Sequence, residues 1–166
     1  MRVNRSAVTG RFVTPAEAEA DPERHVAETV DHRPPVDITV ERMNGGMLKL
    51  HLGTPDKARV IHWFSAPDHG DPHDHKQWGF WSTVLEGSYV EERYRLDGSH
   101  ERIHRRKGDR FYVEPDAIHR IVELPEGECF TLIEPDPHTG QKSGFYQWRP
   151  EGTFYRHWDG DWQRIG

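Results

Sequence analysis

His73 and His75 are the residues whose type and spacing point most directly to chemistry, with only Asp74 between them. In an extended strand, residues two apart face the same way, so both imidazoles can aim at one point. A third histidine, His119, ends the stretch Gly108-Asp109-Arg110-Phe111-Tyr112-Val113-Glu114-Pro115-Asp116-Ala117-Ile118-His119. Histidine pairs alone are weak evidence, because the chain carries 12 histidines. The setting of the third strengthens the set. A glycine turn opens a short strand, and Pro115 breaks it because proline cannot donate to a ladder. His119 then starts the next strand.

Neutral imidazoles on a rigid sheet suit iron, zinc, copper or nickel. With no carboxylate ligand, such a site keeps the full positive charge of its ion. An octahedral ion keeps open positions for both a substrate and O2, and a thiolate, enolate or carboxylate is favoured. Zinc would instead be four-coordinate with one open position, suited to polarising a carbonyl or activating water.

The elements that must position these residues are strands. Asn44-Gly45-Gly46 is a hairpin signal between Asp37–Glu41 and Met47–Leu52. In Met47–Leu52, alternation puts Leu48, Leu50 and Leu52 on one face, read as the core side. Lys49 and His51 share the other, read as outward. Further strands are expected at 58–64, 80–85, 89–96, 101–105, 110–113, 118–124, 129–133 and 144–148. Gly87-Ser88, Asp97-Gly98-Ser99, Lys107-Gly108-Asp109 and Pro125-Glu126-Gly127 separate several of these strands as turns. Gly87 and Gly108 are read as bracketing a hairpin that brings the histidine segments together. Many short strands with glycine and proline turns indicate an antiparallel sandwich or barrel. Residues 1–35 read as a separate, partly helical arm. Within it Thr14-Pro15-Ala16-Glu17 is a capping box with proline at the first helical position. Residues 36–166 are the barrel with its aromatic C-terminal tail, which is read as closing one barrel end.

The two motifs resemble those of the cupin superfamily. His73, His75 and Gly87 match the first, and Gly108, Pro115 and His119 match the second. The resemblance implies an all-β fold, the cupin double-stranded β-helix or jelly-roll barrel. Where the family usually carries a metal-binding glutamate, this chain has Trp78, Gly79 and Phe80. That departure leaves three histidines and looks like the thiol dioxygenases of the cysteine dioxygenase and mercaptopropionate dioxygenase type. The resemblance implies one divalent metal held by His73, His75 and His119. Fe(II) is favoured, with Zn, Ni, Mn or Cu as alternatives. It implies an oxygenase acting on a small thiol or anionic substrate with O2. No cysteine stands at Gly79 or Phe80, where some relatives carry a cross-linked one. A metal-assisted isomerase or hydrolase and a non-enzymatic small-molecule-binding cupin are the other readings.

Candidates for the substrate pocket are Trp78, Arg93 and Tyr112, with Arg95 and Tyr94 beside them. Asp74 is expected to point away from the site by alternation. Glu91 and Glu92 supply a carboxylate only if the pleat turns one inward, which is not expected. Cys129 reads as a small buried hydrophobe.

The bulk properties bound the function. A chain of 166 residues suits one domain with a real core. A net charge of -6 argues against a nucleic-acid binder, which needs a basic surface to neutralise phosphates. One cysteine permits no internal disulfide and no CxxC redox motif. No apolar run follows the N-terminus as in a secretory signal, and none approaches the roughly 20 residues of a membrane span. A cytoplasmic protein, with homodimerisation through sheet edges as an option, is the expectation.

Overall fold

The computed structural model describes residues 2–6, 12–21, 25–29, 38–43, 45–53 and 58–166. The chain divides into two compact units, Met1–Val36 and Asp37–Gly166.

The first unit holds β1 (Arg2–Ser6), β2 (Phe12–Val13), α1 (Pro15–Ala20) and β3 (His25–Thr29). The strands form an antiparallel sheet in the order β2-β1-β3, which adds to the helix read from the sequence. Thr14 caps α1: its hydroxyl accepts from Glu17 N at 3.3 Å, and the Glu17 carboxylate accepts from Thr14 N at 2.7 Å. These bonds satisfy donors that a helix start leaves open.

The second unit is built of antiparallel strands. They are β4 (Ile38–Met43), β5 (Met47–Leu52), β6 (Arg59–Phe64), β7 (Phe80–Tyr94), β8 (His100–Arg106), β9 (Arg110–Val113), β10 (Ile118–Glu123), β11 (Cys129–Pro135), β12 (Gly144–Arg149), β13 (Gly152–His157) and β14 (Gln163–Arg164). One sheet runs β10-β7-β11-β6-β5-β4, with β8 and β9 also paired to β7. The aromatic tail supplies most of a smaller sheet, β12-β13-β14. Tyr146 N of β12 donates to Pro72 O at 2.8 Å, which lays this sheet against the first histidine segment.

β7 organises the barrel. The expected turn at Gly87-Ser88 is not a turn, because β7 is one strand of 15 residues. Its first half pairs with β9 and β11, and its second half with β8 and β10. Gly87 lets one strand serve both groups. Its φ is 73°, a region that side chains with a Cβ disfavour. A Cβ there would lie 2.3 Å from Glu128 O. The pairing with β11 shifts register close by, between Phe130 and Thr131, as at a β-bulge. The hairpin turn lies further on, at Asp97-Gly98: Ser88–Tyr94 pairs with His100–Arg106, so Gly87 and Gly108 do bracket a hairpin, with Gly87 inside β7 itself.

The core lies between the two halves of β7. One cluster joins Phe64, Val84, Tyr89, Ile121 and Cys129, and a second joins Val60, Phe80, Val113 and Ile133. Cys129 is fully buried.

The faces of β5 are the reverse of the sequence expectation. Met47, Lys49 and His51 lie opposite Phe64, His62 and Val60, and directly opposed residues share a face. Met47, His62 and Phe64 line the interior cavity, so Lys49 and His51 are on the inner side. Leu48, Leu50 and Leu52 lie on the outer side, in the rows of Trp63, Ile61 and Arg59. That outer face continues through Phe130 and Leu132 of β11 and through Val40 of β4, which is 53% exposed. Alternation gives two faces but not which one is inside. Here Lys49 and His51 on the inner side pair with Glu41 of β4, at 3.7 and 3.0 Å.

Candidate metal centre

The first histidine segment is a short extended stretch held between β10 and β12. His73 N donates to His119 O at 3.0 Å and His119 N to His73 O at 2.9 Å, which makes the two residues an antiparallel pair. His75 N donates to Pro115 O at 3.0 Å, so the carbonyl of the strand-breaking proline anchors the other side. Alternation holds across the segment. His73 and His75 face one way, and Asp74 faces the other. Asp74 is buried, accepting from Gly144 N at 2.9 Å and Tyr146 Oη at 2.8 Å, with Lys76 Nζ at 3.3 Å. It fixes the segment and touches none of the three rings.

The three rings converge. Their centroids are 5.0 Å apart for His73–His75 and for His73–His119, and 5.1 Å for His75–His119. One ring nitrogen from each lies within 4.8 Å of the others. His75 Nε2 and His119 Nε2 are 2.9 Å apart. Two imidazole nitrogens at that distance require a proton or a cation between them. Two ligands about 2.0–2.1 Å from one ion at right angles stand about 2.9 Å apart, so the spacing fits a shared metal.

Glu91 completes the site. Its Oε2 lies 3.0 Å from His119 Nδ1, and its side chain is fully buried. Arg105 Nε and Nη2 donate to its Oε1 at 2.8 and 2.7 Å, and Arg93 Nε lies 3.3 Å from Oε2. Burial alone would raise the Glu91 pKa, but His119, Arg93 and Arg105 outweigh it and hold the carboxyl down to about 2. An ionised carboxylate can only accept, so His119 Nδ1 carries the proton and Nε2 presents its lone pair to the site. Burial, then the neighbouring His119, pushes His73 down to about 4. Burial, then His73 and His119, pushes His75 well below its ordinary value. Both are therefore neutral at pH 7, as metal ligands must be.

Of Trp78, Gly79 and Phe80, the stretch read where the cupin glutamate falls, Phe80 lies beside the histidines. Its ring meets that of His75 edge-on at 5.0 Å, so the position supplies an apolar wall instead of a ligand. The cavity beside the histidines has a volume of about 80 Å³. Apolar walls come from Met47, Phe64, Phe80, Val113, Ile121 and Ile133. Polar ones come from His62, Asp68, Ser82, Tyr89 and Thr131.

Three residues expected in the pocket do not line this cavity. Trp78 packs beside the Val60–Phe80–Val113–Ile133 cluster and meets His138 edge-on. Arg93 is committed to Glu91 and to Glu114 at 3.6 Å. Tyr112 donates to Asp136 at 2.5 Å and passes over Gly79, where a Cβ would lie 2.0 Å from its Oη. Tyr94 is directed to Glu92 and stacks on Trp148. His62, Ser82 and Thr131 are the residues sequence reasoning missed, and Glu91, which was not expected to turn inward, is fully buried against His119. Glu91 had a signal: Arg93 lies two positions on, on the same face, and Arg105 lies on the neighbouring strand.

No protein-family profile matches the chain, and no curated protein sequence matches it significantly. Solved structures do. The Drosophila melanogaster CENP-C cupin domain superposes with a TM-score of 0.52 at 13% identity, covering 66% of this chain and 86% of that one. The fold is that of a cupin domain. Hydroxypropylphosphonic acid epoxidase from S. wedmorenis gives a TM-score of 0.51 at 13% identity, over 64% of this chain and 59% of that one. FeII HppE gives 0.50 at 13% identity, over 65% of this chain and 60% of that one. The cupin match thus covers about three fifths of the length of the last two proteins. Identities this low establish the fold alone.

Proposed function

We propose that this cupin is a metal-dependent enzyme, a mononuclear non-haem iron oxygenase acting on a small thiol or otherwise anionic substrate. The observation that carries the reading is the convergence of His73, His75 and His119, with His75 Nε2 and His119 Nε2 2.9 Å apart. An all-histidine donor set fits a borderline divalent metal, with Fe(II) favoured and Zn, Ni, Mn or Cu as alternatives. When bound, iron supplies redox chemistry toward O2, and any of these metals supplies a positive charge that favours an anionic substrate.

The chain's own residues do the rest. His73, His75 and His119 hold the metal. Glu91 fixes the tautomer of His119 and spreads its charge onto Arg105 and Arg93. Asp74, through Tyr146 and Gly144 N, fixes the backbone that carries His73 and His75. Phe80, Val113 and Ile133 keep the substrate's environment apolar beside the histidines. The three-histidine set without a carboxylate ligand, and Phe80 in the stretch read where the cupin glutamate falls, support the thiol-dioxygenase-like assignment. Among the described residues no helix is long and apolar enough to cross a membrane.

Metal analysis of protein purified without added metal, followed by O2-uptake assays with small thiols, tests the proposal. Iron with thiol-dependent O2 uptake supports it. Tightly bound zinc or nickel without O2 uptake replaces it with a Lewis-acid isomerase or hydrolase. No metal in the wild type, with ligand binding unchanged in His119→Ala, leaves a non-enzymatic binding cupin.

A further inference from the structure

The cavity has a second pole. His119 lies on β10, which pairs with the second half of β7, and His73 pairs with it. His62, Thr131 and Ser82 lie on β6, β11 and the first half of β7. Thr131 is the direct cross-strand partner of His62, and Ser82 opposes Ile133, two residues along from Thr131. The three side chains therefore form one polar patch on the inner face of that sheet, and all three line the cavity.

Thr131 carries the unpaired group of this patch. Thr131 is 2% exposed, and its Oγ1 is buried without a hydrogen-bond partner among the described residues. Ser82 is also 2% exposed. No side-chain hydrogen bond among the described residues involves His62 or Ser82; the His62 ring meets that of Phe64 edge-on at 5.7 Å. Buried polar groups are nearly always paired, and unpaired ones cost stability, so such a set needs an explanation. The outer residues of these strands satisfy themselves, as Trp63 Nε1 does on Glu128 at 2.9 Å. Among the described residues the other buried side-chain atoms without a hydrogen bond are Arg93 Nε and Arg120 Nε, on β7 and β10.

We infer that His62, Ser82 and Thr131 form a binding subsite for an uncharged hydroxyl or carbonyl oxygen at one end of a small ligand whose other end sits at the three histidines. The inference rests on the metal-site reading and adds the chemical class of the ligand. Size limits the ligand, since a cavity of about 80 Å³ admits only a small molecule. Charge limits it too. No lysine or arginine lines the cavity among the described residues, and the Asp68 carboxylate does. A second anionic group would be buried without a counter-charge. Burial, then Lys49 and His51, pushes His62 down to about 3, so at pH 7 it is neutral, with one donor and one acceptor nitrogen. Two hydroxyls and a neutral imidazole can donate to a carbonyl oxygen, and can both donate to and accept from a hydroxyl.

Two probes with the same three-carbon chain, propanoate and 3-hydroxypropanoate, test this on the full chain loaded with Co(II). The cobalt absorption bands report occupancy of the histidine site and ligand binding. Wild type is expected to bind 3-hydroxypropanoate roughly five- to tenfold more tightly than propanoate, one hydrogen bond's worth. Thr131→Val should lose that preference without changing its affinity for propanoate, and Thr131→Ser should keep it. Ser82→Ala provides an independent second loss. Chelation of cobalt by the probe's own hydroxyl would give a preference that survives in Thr131→Val and Ser82→Ala, and that result overturns the subsite. Equal affinities of wild type for the two probes overturn it as well. If Co(II) binding is unaffected by His119→Ala, the metal reading fails separately. The same probe pair is then compared by calorimetry on metal-free protein. There, a wild-type preference abolished by Thr131→Val retains the subsite, and its absence removes it.

Discussion

The two walls of the cavity are built by opposite rules. On the histidine wall most groups that position the site are tied down, although Arg93 Nε, 3.3 Å from Glu91 Oε2, and Arg120 Nε are buried without a hydrogen bond. His119 leans on Glu91, Glu91 on Arg105 and Arg93, and the loop of His73 and His75 on Asp74, Tyr146 and Gly144. On the far wall, Thr131 Oγ1 is buried without a partner, and His62 and Ser82 join no side-chain hydrogen bond among the described residues. The difference teaches where each wall's interactions are directed. The first wall spends its hydrogen bonds inside the protein to hold three nitrogens at one point. The second leaves its hydrogen bonds available toward the cavity.

Substitutions on the first wall should be severe, and those on the second mild. The largest effect is expected from His119→Ala. It removes one of three ligands and should lower metal affinity by more than about a hundredfold while the barrel stays folded, as metal stoichiometry and circular dichroism would show. Glu91→Gln comes next. It keeps the shape but leaves Arg105 and Arg93 facing a neutral group in a buried site, at a cost of roughly 3 kcal/mol. It should also weaken metal binding about 10- to 100-fold, measurable by denaturant titration and by competition with a chelator.

Acid should act on both walls. His62 and His73 have folded-state pKa values of about 3 and about 4, below the ordinary histidine value. The unfolded chain therefore binds more protons than the folded one as pH falls through 6.5 toward 4. Stability is fully present above that window and falls within it by up to about 1.4 kcal/mol per pH unit for each histidine. Glu91, held down to about 2, adds a further loss as pH drops through the ordinary carboxylate range. Denaturant midpoints measured from pH 8 to pH 4 would contradict this if they stayed flat.

The smaller effects separate the walls most cleanly. Tyr146→Phe deletes one donor to buried Asp74 and should cost about 2 kcal/mol, with a loss of metal affinity through movement of the His73–His75 segment. Thr131→Val removes a hydroxyl that has no protein partner. It should change stability by less than about 1 kcal/mol, in the stabilising direction if any. A destabilisation equal to that of Tyr146→Phe would erase the contrast between the walls.

Much of the fold was legible in local patterns. The capping box of Thr14 and Glu17, the alternation of Met47–Leu52 and the proline break before His119 all depend on neighbours in sequence. The three ligand candidates were legible because spacing and strand alternation suffice to aim them. The rest was hidden for reasons that lie in three dimensions. Gly87 reads as a turn, yet its positive φ places it inside a strand that crosses between pairing partners. Leu48 and Lys49 were assigned to the wrong faces, because alternation separates two faces without saying which one is inside. Arg93 looked free to meet a substrate until its partner Glu91 proved to be inside the protein. Thr131 carries no signal at all, since a threonine in an apolar strand is ordinary and only its neighbours show that the hydroxyl is unpaired.

The central claim is that His73, His75 and His119 hold one metal ion between them. X-ray absorption at the metal edge of the loaded wild-type protein, compared with His119→Ala, tests it most directly. The account predicts one metal per chain with three imidazole nitrogens in its shell, and a shell reduced or lost in the variant. A metal shell lacking imidazole nitrogens, or one unchanged by His119→Ala, would contradict it.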